Sequence, residues 1–122
     1  MNQRSGAPGD DPPSHRRRSQ RHTVATMVWY KVVPHEAEAT PEGVARSVDI
    51  SQSGLGIIVP SSLPLKRLIW LELSAGQVRM SALGKTVFSI NEREYYRVGI
   101  EFVVIPPNDR IQLREFCTDE KG

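Results

Sequence analysis

Apolar and polar residues alternate with a period of two along most of this chain, and turn-forming residues interrupt the alternation at short intervals. Successive side chains of a strand point to opposite faces, so each alternating run predicts one strand with an inner and an outer side. Residues 24–33, rich in β-branched and aromatic side chains, predict the first strand. Val24, Thr26, Val28, Tyr30 and Val32 share one face, with Met27 and Trp29 on the other. Residues 34–43, with two prolines, a glycine and Glu36, Glu38 and Glu42, predict a solvated loop. Residues 44–51 predict the second strand, with Val44, Val48 and Ile50 on one side, and residues 56–59, stopped by Pro60, the third. In the fourth, residues 67–73, Ile69, Leu71 and Leu73 oppose Leu68 and Trp70. The fifth is long, residues 78–90, with Val78, Met80, Ala82, Gly84, Thr86, Phe88 and Ile90 on one face and Gly84 marking a bend or bulge. The sixth, residues 95–105, turns Tyr96, Val98, Ile100, Phe102 and Val104 inward and Arg97, Gly99 and Glu101 outward.

Pro106, Pro107, Asn108 and Asp109 end the strands and start a helix, with Asp109 as the cap and Gln112 completing a capping box. Ile111, Leu113, Phe116 and Cys117 form its apolar stripe, set against one opening of a barrel. Several short strands at regular spacing and then one helix predict a mainly β fold, a small antiparallel six-stranded β-barrel with a C-terminal helix. Closure removes the strand edges that an open sheet exposes. Residues 1–15, with prolines and glycines and almost no large apolar side chain, predict a disordered N-terminal arm. Residues 16–122 form the barrel domain.

A chain of 122 residues supports one core. Its net charge is only +2, so its basicity is local. Cys117 is the sole cysteine, which precludes an intrachain disulfide and suits a reducing, cytoplasmic location. No apolar run approaches the roughly 18 residues that span a bilayer, and the N-terminus lacks the apolar centre of a secretory signal.

The local basicity is Arg16, Arg17, Arg18 and Arg21. By itself such a run reads as a solvated basic tail. A second polar group changes that reading: Asp49 and Ser51, two apart, face outward together just before a turn at Ser53 and Gly54, where glycine supplies a positive φ. An arginine fork pairs with phosphate, and with the O6 and N7 acceptors of guanine. A carboxylate only accepts, and so suits the guanine N1–H and N2 donors that arginine cannot satisfy. The set binds; it has no evident leaving group to act upon. His15, His22 and His35 are scattered without metal-ligand spacing, there is no glycine-rich phosphate loop, and an Asp49–Ser51 hydrolase would lack a base. Neither a metal site nor catalysis is therefore expected. A small basic barrel binding RNA or DNA, with Trp29, Tyr30 or Tyr95 stacking on bases, is disfavoured because no aromatic row shares one exposed face.

Arg17 and Arg21 as RxxxR, with Asp49, Ser51 and Gly54 as DxSxxG, resemble the motifs of the PilZ family of cyclic di-GMP receptors. Val98, Gly99, Ile100, Glu101 and Phe102 are similar to the late strand that often closes the family's barrel, and the resemblance spans residues 16–117. It implies that the arginines clasp guanine and phosphate of cyclic di-GMP while the strand motif completes the site. Gly54 then shapes the turn. Arg16 and Arg18 add arginines beside the motif, which in some members accompanies an intercalated ligand dimer. His22 departs from the apolar residue common after the second arginine. The resemblance further implies a non-catalytic receptor or adaptor that changes shape and signals to an unidentified protein partner. A PilZ-type domain that binds proteins without a ligand is the alternative within the fold.

Overall fold

The computed structural model describes residues 26–36, 38–75 and 77–118. Six strands run in chain order as β1 Met27–Val32, β2 Glu42–Ile50, β3 Gly54–Val59, β4 Leu68–Ala75, β5 Val78–Asn91 and β6 Tyr96–Val104, and one helix, α1, Pro107–Thr118, comes after them. All neighbours are antiparallel, and the sheet closes in the order β1-β2-β3-β6-β5-β4. Alternation supplies the core: Val28, Tyr30 and Val32, then Leu55, Ile57 and Val59, then Ile69, Leu71 and Leu73 are buried in one cluster. The expected arm and residues 16–25 lie outside the described residues.

Three bulges modify the expected faces, each adding one valine to one strand of a pair. Ser47 pairs with Ile57 but Asp49 pairs with Gly56, so Val48 is extra on β2. The inward residues of β2 are therefore Ala45, Ser47 and Ile50. Val44, expected inside, is 62% exposed. Thr86 pairs with Ile100 and Phe88 with Gly99, which leaves Val87 extra on β5 and turns Phe88 and Ile90 outward. Leu83 pairs with Val104 and Gly84 with Phe102, so Val103 is extra on β6. Val104 consequently faces out, 54% exposed, and Ile105 enters the core in its place. The expected irregularity at Gly84 is this third bulge, although the added residue belongs to the partner strand.

A few polar groups bind the ends of the barrel. The buried Thr86 hydroxyl donates to the Pro64 carbonyl at 2.7 Å and accepts from the Arg67 amide at 3.1 Å. Arg67 Nη2 in turn reaches the Val33 carbonyl at 2.8 Å and Glu38 Oε2 at 2.9 Å, fastening the β1–β2 loop to the start of β4. Glu38 is thus a structural partner of Arg67. The helix begins earlier than the cap reading places it. Pro107 holds the first helical position, where its missing N–H costs nothing, and Asp109 lies within the first turn, where its charge favours the dipole. Leu113, Phe116 and Cys117 join the barrel core and the helix packs on β5, whereas Ile111 is exposed.

Candidate functional site

The β2–β3 turn shows why aspartate, serine and glycine occur at this spacing. The extra residue Val48 puts Asp49 on the outer face while Ile50 drops into the core. Ser51 then closes the turn: its amide donates to the Gly54 carbonyl at 2.9 Å, and its hydroxyl accepts from the Ser53 amide at 3.2 Å. The hydroxyl lies 3.2 Å from Ser53 Oγ as well. Ser51 is fully buried, so it does not share an outward patch with Asp49 as strand parity suggests. Its part in this geometry is to shape the turn that carries Asp49.

Gly54 is required for a different reason than the expected positive φ. It lies outside the left-handed region, at the first position of β3 opposite Glu101, and a Cβ there would collide with the Ile100 carbonyl oxygen. The Phe102 amide donates to the Ser53 carbonyl at 2.8 Å, which ties the turn to β6. Serine and glycine together hold the turn close against β6, and the aspartate is left on the outer surface.

From Asp49 a single row crosses four strands: Asp49 on β2, Gly56 on β3, Gly99 on β6 and Phe88 on β5. The two glycines carry no side chains, and both are buried because neighbouring side chains lie over them. Asp49 leans over one end, its Oδ1 3.3 Å from where a Gly56 Cβ would stand, and the Phe88 ring lies directly across Gly99 at the other. Phe88 remains 41% exposed. The next outward-facing row carries Arg46, Ile58, Arg97 and Ile90, so two arginines hold register positions beside this wall on either side of Ile58. Arg97 Nε is 3.4 Å from Glu92 Oε2. The wall thus offers an acceptor and an exposed aromatic ring, each lying over a buried glycine, with two arginines in the next outward-facing row. These features suit a flat, anionic ligand with hydrogen-bond donors on one edge.

Arg16, Arg17, Arg18 and Arg21 lie outside the described residues, so the geometry brings together only Asp49, Ser51 and Gly54 of the expected set. Gly56, Gly99, Phe88, Arg46 and Arg97 are not among the site residues expected from the sequence. A signal for the glycines did exist, since glycine on a strand face marks a close approach to backbone. Among the described residues no group of three or more histidine, cysteine, aspartate or glutamate side chains is placed to hold a metal ion. Nor is any helix there long and apolar enough to cross a membrane.

The PilZ domain family model matches residues 15–119. Among solved structures the chain is similar to the Bacillus subtilis inhibitor of motility MotI/DgrA, with 18% identity and a TM-score of 0.70 over 87% of this chain and 51% of that one. It is similar to the PilZ domain with c-di-GMP of YcgR from Escherichia coli, with 15% identity and a TM-score of 0.62 over 87% and 92% of the two chains. It also resembles the K. pneumonia MrkH–c-di-GMP complex, with 16% identity and a TM-score of 0.66 over 87% and 52%. The chain spans about half the length of the motility inhibitor and of MrkH. No curated protein matches it.

Proposed function

The chain belongs to the PilZ domain family, and on that footing we propose that it is a non-catalytic receptor for cyclic di-GMP. The observation that carries this reading is the placement of Asp49: a bulge and a buried serine turn hold its carboxylate on the outer wall, over Gly56. There it accepts from the N1–H and N2 donors of a guanine lying against the outer wall between Asp49 and Phe88. Arg17 and Arg21, matching RxxxR, supply the forks for guanine O6 and N7 and for phosphate. Arg16 and Arg18 add charge for a second, intercalated ligand molecule. Ser51 and Gly54 act by holding the turn. The YcgR domain and MrkH were both solved with c-di-GMP, which supports the ligand class. Binding alters the shape of the receptor, and that change is passed to a protein partner. Calorimetric titration with cyclic di-GMP, in wild type and in Asp49→Ala, tests the reading.

A further inference from the structure

Both tryptophans of the chain, Trp29 and Trp70, lie in one groove on the outside of the barrel. It is centred on β4, which stands diametrically across the barrel from β3 and its glycines. The groove encloses about 540 Å³, and Trp29, Trp70, Leu83, Val104 and Pro106 wall it, with Glu72 among them. Cross-strand register explains the grouping: Trp29 faces Glu72, Lys31 faces Trp70, and Trp70 faces Leu83, which faces Val104. Trp70 is 47% exposed, and Leu68 and Val104 extend the apolar surface around it. The two indoles thus share one apolar surface on an outer sheet face.

The charges specify the occupant. Lys31 is drawn to the β2 side, its Nζ 3.6 Å from Glu42 Oε1. Among the described residues no ion pair engages Glu72, so one carboxylate faces a groove walled by two indoles. An acidic or purely apolar segment docking here would strip water from Glu72 and return nothing. A guanidinium or ammonium pairs with it and meets the indole faces as well. We infer that this groove is a docking site for a partner-protein segment that presents an arginine or lysine flanked by apolar residues. The surface lies away from Asp49, so a partner seated here leaves the ligand wall open.

Because Trp29 and Trp70 are the chain's only tryptophans, intrinsic fluorescence reports on the groove directly. The experiment titrates the full chain with a blocked peptide alternating leucine and arginine, and with counterparts carrying citrulline or glutamate in place of arginine. The arginine peptide should shift the emission saturably, and the other two should bind at least about tenfold more weakly. Glu72→Gln, at an exposed site where folding is not at risk, should weaken the arginine peptide by a similar factor and leave the Tm unchanged. Equal responses to the three peptides, no response to any of them, or an unaffected Glu72→Gln variant would overturn the proposal. So would a peptide-independent shift that grows with protein concentration and tracks a dimer in sedimentation, since the occupant would then be a second copy.

Discussion

Gly54 sits so close to Ile100 that a methyl group at position 54 would occupy the space of the Ile100 carbonyl oxygen. The atom in the way is backbone of a paired strand, so no rotamer change relieves the clash. Gly54→Ala should therefore destabilise the barrel by about 1–3 kcal/mol, as overpacking of a rigid site does. Urea unfolding measures this, and an unchanged midpoint would show that β3 and β6 can separate at that point. The same substitution should loosen the turn and lower ligand affinity even where the protein remains folded.

Asp49→Ala removes the carboxylate that the proposed function assigns to the guanine donors. Hydrogen bonds to a charged group contribute about 1.5–3 kcal/mol each. A loss of at least tenfold in cyclic di-GMP affinity is expected, with the circular dichroism spectrum preserved because Asp49 lies outside the core. Arg17→Ala and Arg21→Ala should lose as much, and the arginine losses should depend more steeply on salt. Full affinity in all three folded variants contradicts the site.

Gly56→Val tests the packing beneath Asp49. A Cβ at position 56 already stands 3.2 Å from Val48 Cγ2 and 3.3 Å from Asp49 Oδ1, so a branched side chain pushes the carboxylate aside. Ligand affinity should fall by at least about tenfold, comparable to the loss of one good hydrogen bond. Phe88→Ala removes the ring at the far end and should weaken binding less. Unaltered affinity in Gly56→Val would mean that the ligand does not lie on this wall.

How much of this was legible in the sequence depends on where the period of two holds. Val28, Tyr30 and Val32, or Ile69, Leu71 and Leu73, report their burial through simple alternation, and such runs predict the six strands and the terminal helix. Val48, Val87 and Val103 break the period, yet each looks like any other strand valine. A bulge is set by how two strands pair, which local composition does not record. Each one reverses the parity between the two halves of its strand. Val44 before the first, Phe88 and Ile90 after the second, and Val104 after the third are therefore assigned to the wrong face. The DxSxxG residues could be found by motif, but their roles could not. That Ser51 points inward and that Gly54 answers to a carbonyl on β6 are facts of three-dimensional packing.

Cys117 reports on the helix. Burial pushes its thiol pKa above the ordinary 9.0, so the reactive thiolate is scarce at neutral pH. Modification by a thiol reagent should be much slower in the native protein than in urea. Because the folded-state pKa is raised, the thiol's contribution to stability is complete below pH 9 and declines as pH rises through and beyond that value. Cys117→Ala should flatten that part of the alkaline loss in thermal melts. Rapid native labelling would mean that α1 does not stay docked on β5.

Calorimetry of the full chain with cyclic di-GMP, with GTP, cyclic GMP and a short single-stranded RNA as comparators, bears most directly on the proposed function. Saturable binding of cyclic di-GMP in preference to all three is expected. Its salt dependence should be shallower than that of an RNA, because only a few phosphate charges are neutralised. A stoichiometry of two ligands per chain would support an intercalated pair, and one would support a single molecule. No heat with cyclic di-GMP, or equal or tighter binding of the RNA, would contradict the receptor assignment.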